Sequence, residues 1–440
     1  MPFDFSTVSA GDTAWVLASS ALVLLMTPAL AFFYAGMVRA KNALAMLMQN
    51  YLTIGLVTAA WAVLGFSLAF GQGSGFVGDL HFAGLANLTD VVPGFTGPHA
   101  QTIPPMAFAL FQLMFAVITP ALITGSTADR MRLGALVPFI LLWSVLVYAP
   151  VAHWVFSPDG WAAKLGALDF AGGTVVHSNA GAAGLAMAIV LGRRAGWPTK
   201  PMHPHNLPFV LLGAALLWVG WLGFNAGSAL AANNLAAFAA MNTTVAASLA
   251  MLAWAAVEKI RYGKATSLGA ASGAVAGLVA ITPCAGFVSP TGAIIVGIAA
   301  GAICALAVSL KTWLGYDDSL DVVGVHLFGG VVGSLCVGLF ATTAVNPLGA
   351  DGLFYGGGYD LLGKQLVTVL AVVVYSFVVT LVLGRLIDRF VGIRVSPGAE
   401  SAGLDLALHG ETAYEFAAYA IEEDPGHPVT GGEHRRERIG

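Results

Sequence analysis

Charged residues are scarce in this 440-residue chain: 19 Lys or Arg and 23 Asp or Glu, 10% of the total. A soluble globular domain carries about 25%, so an all-aqueous fold is excluded. Cysteine is rarer still. Cys284, Cys304 and Cys336 lie in or beside apolar runs and have no metal-ligand spacing. They read as small buried hydrophobes, which excludes a disulfide framework. The opening stretch MPFDFSTVSAGDTAW lacks the basic region of a secretory signal peptide, so the first apolar run is expected to stay in the mature protein. The net charge of −4 points to no partner, and neither nucleic acid nor a catalytic cofactor or metal is expected.

Apolar residues are what the chain has in excess. They make up 58% of it, with a mean hydropathy of +0.81. Apolar runs of about 20 residues cross a bilayer as helices. Hydropathy predicts eleven spans, near 12–35, 43–67, 101–126, 132–153, 170–191, 206–226, 240–258, 267–284, 289–310, 322–345 and 364–390. The 54 glycines suit helices that approach closely in lipid. Charge distribution tests the count. Arg39 and Lys41 follow span one, Arg130 and Arg132 span three, and Arg193, Arg194 and Lys200 span five. Lys259, Arg261 and Lys264 follow span seven, Lys311 span nine, and Arg385, Arg389 and Arg394 end span eleven. Only Lys164 and Lys364 lie on the opposite side. The positive-inside rule then predicts an N-terminus outside and a C-terminus inside, which an odd number of spans satisfies. Residues 1–390 read as a transmembrane domain and 391–440 as a polar cytoplasmic tail. The loop 72–100 reads as long, glycine-rich and external. The end, EEDPGHPVTGGEHRRERIG (422–440), is expected to be disordered.

Two segments match on a histidine: DFAGGTVVHSNAGAAG (169–184) and DSLDVVGVHLFGGVVG (318–333). Asp169 aligns with Asp318, Val176 with Val325, His177 with His326, Gly181 with Gly330 and Gly184 with Gly333. The small residues share a helix face with the histidine, leaving room there for another helix. A weaker echo links FFYAG (32–36) with GFNAG (223–227). Spans 1–5 and 6–10 are therefore read as an inverted repeat, with the long eleventh helix outside it. Such repeats put their site near the membrane midplane. Eight residues at 1.5 Å set each histidine roughly 12 Å from its own aspartate. In a core about 30 Å thick, the two histidines then lie roughly 6 Å apart in depth. Two facing imidazoles at the centre are expected, since intramembrane ionisable groups are usually functional. Two alternatives stand beside this reading: core histidines bonded to backbone carbonyls, and a bis-histidine haem or metal site.

These segments, with AFFYAGMVRAKNALAML (31–47), WVGWLGFNAGSAL (218–230) and GLDLALHGETAY (403–414), closely resemble the ammonium transporter (Amt/Mep/Rh) family, in order along nearly the whole chain. The resemblance is to the bacterial Amt type. It implies an all-α integral membrane protein of eleven helices in the cell (inner) membrane, not an enzyme, assembled as a homotrimer with one pore per subunit. It also implies a PII-type signalling protein as cytosolic partner of the regulatory tail. Ammonium or ammonia is the implied substrate, with methylammonium a second candidate.

An unpaired ion in hydrocarbon is far costlier than a neutral polar molecule. An apolar pore passes ammonia after deprotonation and rejects K⁺, which has no proton to lose. His177 and His326 would form the pore pair, since each neutral ring offers one donor and one acceptor. Phe115 and Phe224 resemble the family's outer gate, Phe111 a vestibule wall and Ser228 a hydroxyl acceptor for ammonium. Ring faces attract cations by about 0.5–2 kcal/mol each. Trp221 is expected to pack behind the site. Asp169 is expected to cap span five by accepting backbone N–H bonds, with a field on the cation as the consequence. One departure stands out. The family's HWVWGGGW is HWVFSPDGW (153–161) here, so Phe156 holds the usual tryptophan position and one residue is added. A sensor of the same fold with little flux is the alternative function.

Overall fold

A computed structural model describes residues 1–414. The 422–440 end lies outside the described residues. The fold is all-helical. Ten helices among the described residues are long and apolar enough to cross a membrane: α1 Ala10–Met37, α2 Ala40–Phe70, α3 Pro105–Thr127, α4 Leu133–Leu165, α5 Gly173–Leu191, α6 Leu207–Gly227, α7 Asn234–Tyr262, α9 Pro290–Leu314, α10 Val323–Phe340 and α11 Asp360–Val391. The eighth expected span is the shorter apolar helix α8, Ser267–Ile281. Its 15 residues reach about 22 Å, and the turn at 282–284 extends it.

Caps decide several helix starts. Ser9, Asn206, Thr266 and Ser289 each accept a backbone N–H from the first turn of the helix that follows. Asn233 does the same for α7 by accepting from Ala236 N. That cap starts α7 at Asn234 rather than near 240, where the apolar run begins. At the other extreme, α10 stops at Phe340 instead of 345. Ala341 is extended and bridges Val288, and the Thr342 N–H goes to Phe287 O.

Small residues set the helix contacts. A side chain at Gly213, Gly220, Gly223 or Gly227 of α6 would strike α1 at Phe33, Met26, Leu22 or Ser19. At the other end, Gly36 of α1 lies against Asn206 and Val210 of α6. The two helices therefore cross antiparallel along a glycine row. The histidine helices α5 and α10 cross in a reciprocal way. Gly181 of α5 packs on Leu327, the residue after His326, and Gly330 of α10 packs on Ser178, the residue after His177. Each glycine of the repeat thus makes room for the other half's histidine turn.

After α11 the chain turns back over one face. A short helix, Pro397–Ala402, is capped by Ser396. Glu400 accepts the Ala195 N–H at 2.6 Å and pairs with Arg394 at 2.8 Å. Asp405 accepts the Leu44 and Ala45 N–H groups at 3.1 and 2.8 Å, so the tail caps α2. Leu404 N donates to Asn42 Oδ1, and Asn42 donates in turn to Asp129. Asp129 pairs with Arg39 and Arg194, while Arg194 also holds Asp317 at 2.8 Å.

Candidate functional site

His177 and His326 sit in matching local structures. Each lies in a π-helical turn, Gly173–Ser178 and Val323–Leu327 respectively. Such turns widen the helix locally and recur at functional sites. Both side chains are buried. Their rings lie 22° from parallel with centroids 5.4 Å apart, and Nδ1 faces Nδ1 at 3.3 Å. One ring must donate and the other accept, so the pair shares one proton. The imidazoles thus bond each other rather than backbone carbonyls. His177 Nε2 is buried with no hydrogen-bond partner among the described residues.

On one side of His177 stands an aromatic stack. Trp221 lies 5.3 Å from its ring at 20°, and Phe224 lies 6.0 Å away at 26°. Trp221 is fixed from behind by Nε1 donating to Thr282 Oγ1 at 2.9 Å. Phe224 continues the stack to Phe115, centroid to centroid 4.3 Å at 37°. Phe115 in turn meets Phe111 at 4.9 Å and Phe156 edge-on at 6.4 Å. Phe111, Phe115 and Phe224 are buried, whereas Phe156 is half-buried. Ser228 is half-buried too, and its hydroxyl donates to Phe224 O at 2.8 Å. That bond uses its proton and leaves oxygen lone pairs to accept.

The residue added after Phe156 is absorbed by a turn. Gly160 N bonds Ser157 O, and Gly160 is pressed against the His153 and Trp154 carbonyls, where no side chain fits. Trp161 stacks beside Trp154 at 5.8 Å and donates its backbone N–H to Gly75 O. Its ring thus meets Trp154 at 57°, and its main chain meets the 72–100 loop.

Asp169 lies beyond the start of α5. Oδ1 accepts from Gly172 and Gly173 N, and Oδ2 from Thr174 and Val175 N, at 2.8–3.1 Å. Among the described residues no side chain bonds this carboxylate. Gly172, one of its donors, has φ +113° and lies against Phe156 Cζ, which joins the Asp169 turn to the aromatic cluster. Its counterpart Asp318 is held differently, by Ser126 Oγ at 2.8 Å and Val323 N at 2.8 Å.

Two small cavities, each with room for about one water-sized molecule, flank the histidines and share Val275 and His326 as walls. One is lined by Met26, Leu30, Ile118, Leu122 and Leu217 beside Trp221 and Phe224. The other runs from His326 past Tyr34 and Leu320 to Asp321. The walls around the histidines are thus mainly hydrocarbon. All nine residues singled out in the sequence gather here: His177, His326, Phe111, Phe115, Phe156, Asp169, Trp221, Phe224 and Ser228. Sequence reasoning missed the aliphatic lining, as well as Tyr34, which donates to Leu122 O at 3.1 Å, and Thr282. Nothing local distinguishes these from ordinary helix residues.

The chain is similar to known proteins in sequence and fold. The Ammonium Transporter Family model matches residues 14–414. An ammonium transporter of Mycobacterium tuberculosis is 52% identical, covering 92% of this chain and 91% of its own. Among solved structures, Mep2 of Candida albicans superposes with a TM-score of 0.85 at 35% identity, over 96% of this chain and 93% of that one. A protein described as a sensor Amt protein superposes at 0.83 and 28% identity, over 91% and 98%. The protein is a multi-pass membrane protein, and it belongs to the ammonium transporter family.

Proposed function

We propose that the protein carries ammonium across the cell membrane by removing a proton at the outer vestibule, passing ammonia between apolar walls, and relaying the proton along the histidine pair. The observation that carries this is the 3.3 Å approach of His177 and His326 beneath the Phe115–Phe224 stack. Ammonium meets the Ser228 lone pairs and the faces of Phe111, Phe115 and Phe156, which attract a cation by about 0.5–2 kcal/mol each. Asp169 lends its field through the peptide groups it fixes. The dry interior penalises a charge but not neutral ammonia. A proton arriving at the free Nε2 of His177 moves along the shared Nδ1–Nδ1 bond to His326 and leaves beyond it, since each imidazole takes a proton on one nitrogen and releases one from the other. K⁺ cannot use this route.

The topology under this reading has the N-terminus outside, the C-terminus and its folded tail in the cytoplasm, and residues 391–440 as a regulatory segment read by a PII-type protein. The assembly is a homotrimer embedded in lipid. Methylammonium enters by the same chemistry. The test is reconstitution of the full chain in liposomes. An ammonium pulse is expected to give current and uptake, and an equal K⁺ pulse neither. The sensor-like neighbour supports one second reading, a sensor with little flux. Ammonium binding without current or uptake would establish that reading and end the transport proposal.

A further inference from the structure

Among the described residues the carboxylate of Asp169 has no side-chain partner, so its direction depends on the loop that carries it. That loop is gripped from outside the repeat. Gln365 of α11 is buried, and its amide pairs both main-chain groups of Leu168. Oε1 accepts the Leu168 N–H at 2.7 Å, and Nε2 donates to Leu168 O at 2.7 Å. An amide bonded to both sides of one residue fixes that residue's peptide planes, as a neighbouring strand would. Nε2 also donates to Ser334 O of α10 at 3.0 Å. The Ser334 hydroxyl bonds Thr174 Oγ1 at 2.9 Å, and Thr174 N donates to Asp169 Oδ2. The bonds close a ring through Gln365, Leu168, Asp169, Thr174 and Ser334.

The matching loop in the other half has a different support. Asp318 is bonded directly by Ser126, and Lys311 Nζ donates to Asp318 O at 3.0 Å. Two other polar residues of α11 fasten helices: Ser376 donates to Asn179 O, and Thr380 accepts from Trp143 Nε1. Gln365 alone among these three reaches a loop that bears a site carboxylate. We propose that Gln365 is a positioning residue for transport: it aims the Asp169 carboxylate and the amides bonded to it at the outer end of the pore. The inference rests on the reading that Asp169 acts on the passing cation.

The test uses full-length protein in proteoliposomes, with Gln365→Met, Gln365→Glu and Asp169→Asn alone and in combination. Gln365→Met keeps the length and loses all three bonds. Gln365→Glu keeps the acceptor and loses both donations. For both, the maximal ammonium current is expected to fall on the order of 10-fold, less than the ~100-fold that a 1 Å misplacement can cost. The half-saturating concentration should move less than about threefold, the mark of an interaction made during passage rather than on binding. In the Asp169→Asn background, Gln365→Met should cost less than about twofold more, because the two act as one unit. Multiplying losses in the double variant would overturn the inference, as would wild-type current from Gln365→Met. Failure of both Gln365 variants to accumulate as folded protein would also overturn it, since the role would then be structural. A wild-type current from Asp169→Asn breaks the Asp169 reading itself, a distinct outcome.

Discussion

The pore centre and the tail face of this molecule treat polar groups in opposite ways. Around His177 and His326 the walls are mainly aliphatic or aromatic, and among the described residues the rings bond each other and His177 Nε2 has no hydrogen-bond partner. On the tail face the buried charges are bonded densely. Asp129 receives Asn42, Arg39 and Arg194, Asp317 receives Arg194, and Arg130 reaches Ser319 Oγ and Asp317 O. A buried polar group without a partner costs roughly 1–3 kcal/mol; among the described residues His177 Nε2 is one such atom at the centre, and Arg39 Nε and Arg130 Nε are others on the tail face, so the two regions differ in the pairing of full charges rather than in the count of unpartnered atoms. The contrast teaches that this fold surrounds its neutral histidine pair mainly with hydrocarbon and brings opposite charges together where the tail folds back.

The largest effect is expected at the centre. Under the proposed relay, replacing both histidines by alanine removes the proton path and leaves an enlarged apolar gap. Ammonium current should fall at least ~100-fold, or else K⁺ should begin to pass because the route no longer requires deprotonation. Paired ammonium and K⁺ current recordings distinguish these. A double variant with undiminished current and unchanged selectivity breaks the relay.

On the tail face the largest effect is on folding rather than selectivity. Arg194→Met leaves the Asp317 carboxylate buried without its ion-pair partner and leaves Asp129 with Arg39 alone, and breaking a buried pair in this way costs about 3–5 kcal/mol. Thermal unfolding of the purified protein should show a large drop, while any protein that survives keeps its rejection of K⁺. Burial alone would raise the Asp317 carboxyl, but the Arg194 hydrogen bond and charge outweigh it and hold the group below its ordinary value. Its stabilising contribution is therefore present above the ordinary carboxylate pKa of about 3.9 and disappears only as pH falls through the lowered value. The pair should hold across neutral and mildly acidic pH. Loss of K⁺ rejection in folded Arg194→Met would erase the distinction between the two regions.

How much of each region was legible in the sequence follows from the same contrast. The histidines, their aspartates and the glycines at i+4 and i+7 repeat as a pattern, and the reciprocal packing of Gly181 and Gly330 explains why. Phe115, Phe156, Phe224 and Ser228 could be singled out only through the family resemblance, because one phenylalanine in an apolar helix carries no local signal. The π-helical turns were invisible, since a single widened turn barely disturbs a 3.6-residue period. Gln365 stands beside Lys364 at the start of a span and looks like an ordinary helix-end polar residue. The tail contacts were hidden for a different reason. Asp405 caps a helix that begins some 360 positions earlier, and no local pattern encodes such a pairing.

That long-range cap provides the next test. Asp405→Ala leaves the first N–H groups of α2 without their acceptor, a loss of about 1 kcal/mol for a helix N-cap. Amide exchange at Leu44 and Ala45 should speed up roughly fivefold at that cost, with exchange in α5 and α10 unchanged. Protection lost across the histidine helices as well would mean that the tail and the pore centre form one unit, against the division drawn above.

The smallest expected effect lies at the pore's outer margin, where the two treatments of polar groups meet. Phe156 occupies the position where the family usually has tryptophan, and its ring touches both the Phe115 edge and the Gly172 backbone. Tryptophan has the stronger face for a cation, by a few tenths to about 1 kcal/mol. Phe156→Trp should therefore lower the half-saturating ammonium concentration by roughly two- to fivefold. The maximal current should hold, because the change strengthens recruitment and leaves the histidines alone. On the Gly172 side a side-chain carbon would already sit 3.4 Å from Phe156 Cζ, so that face is close to the ring. Current recorded over a range of ammonium concentrations separates the two parameters. A fall in maximal current at unchanged half-saturation would show that ring size at this position governs the gate, and that recruitment rests on Ser228 and the buried rings below it.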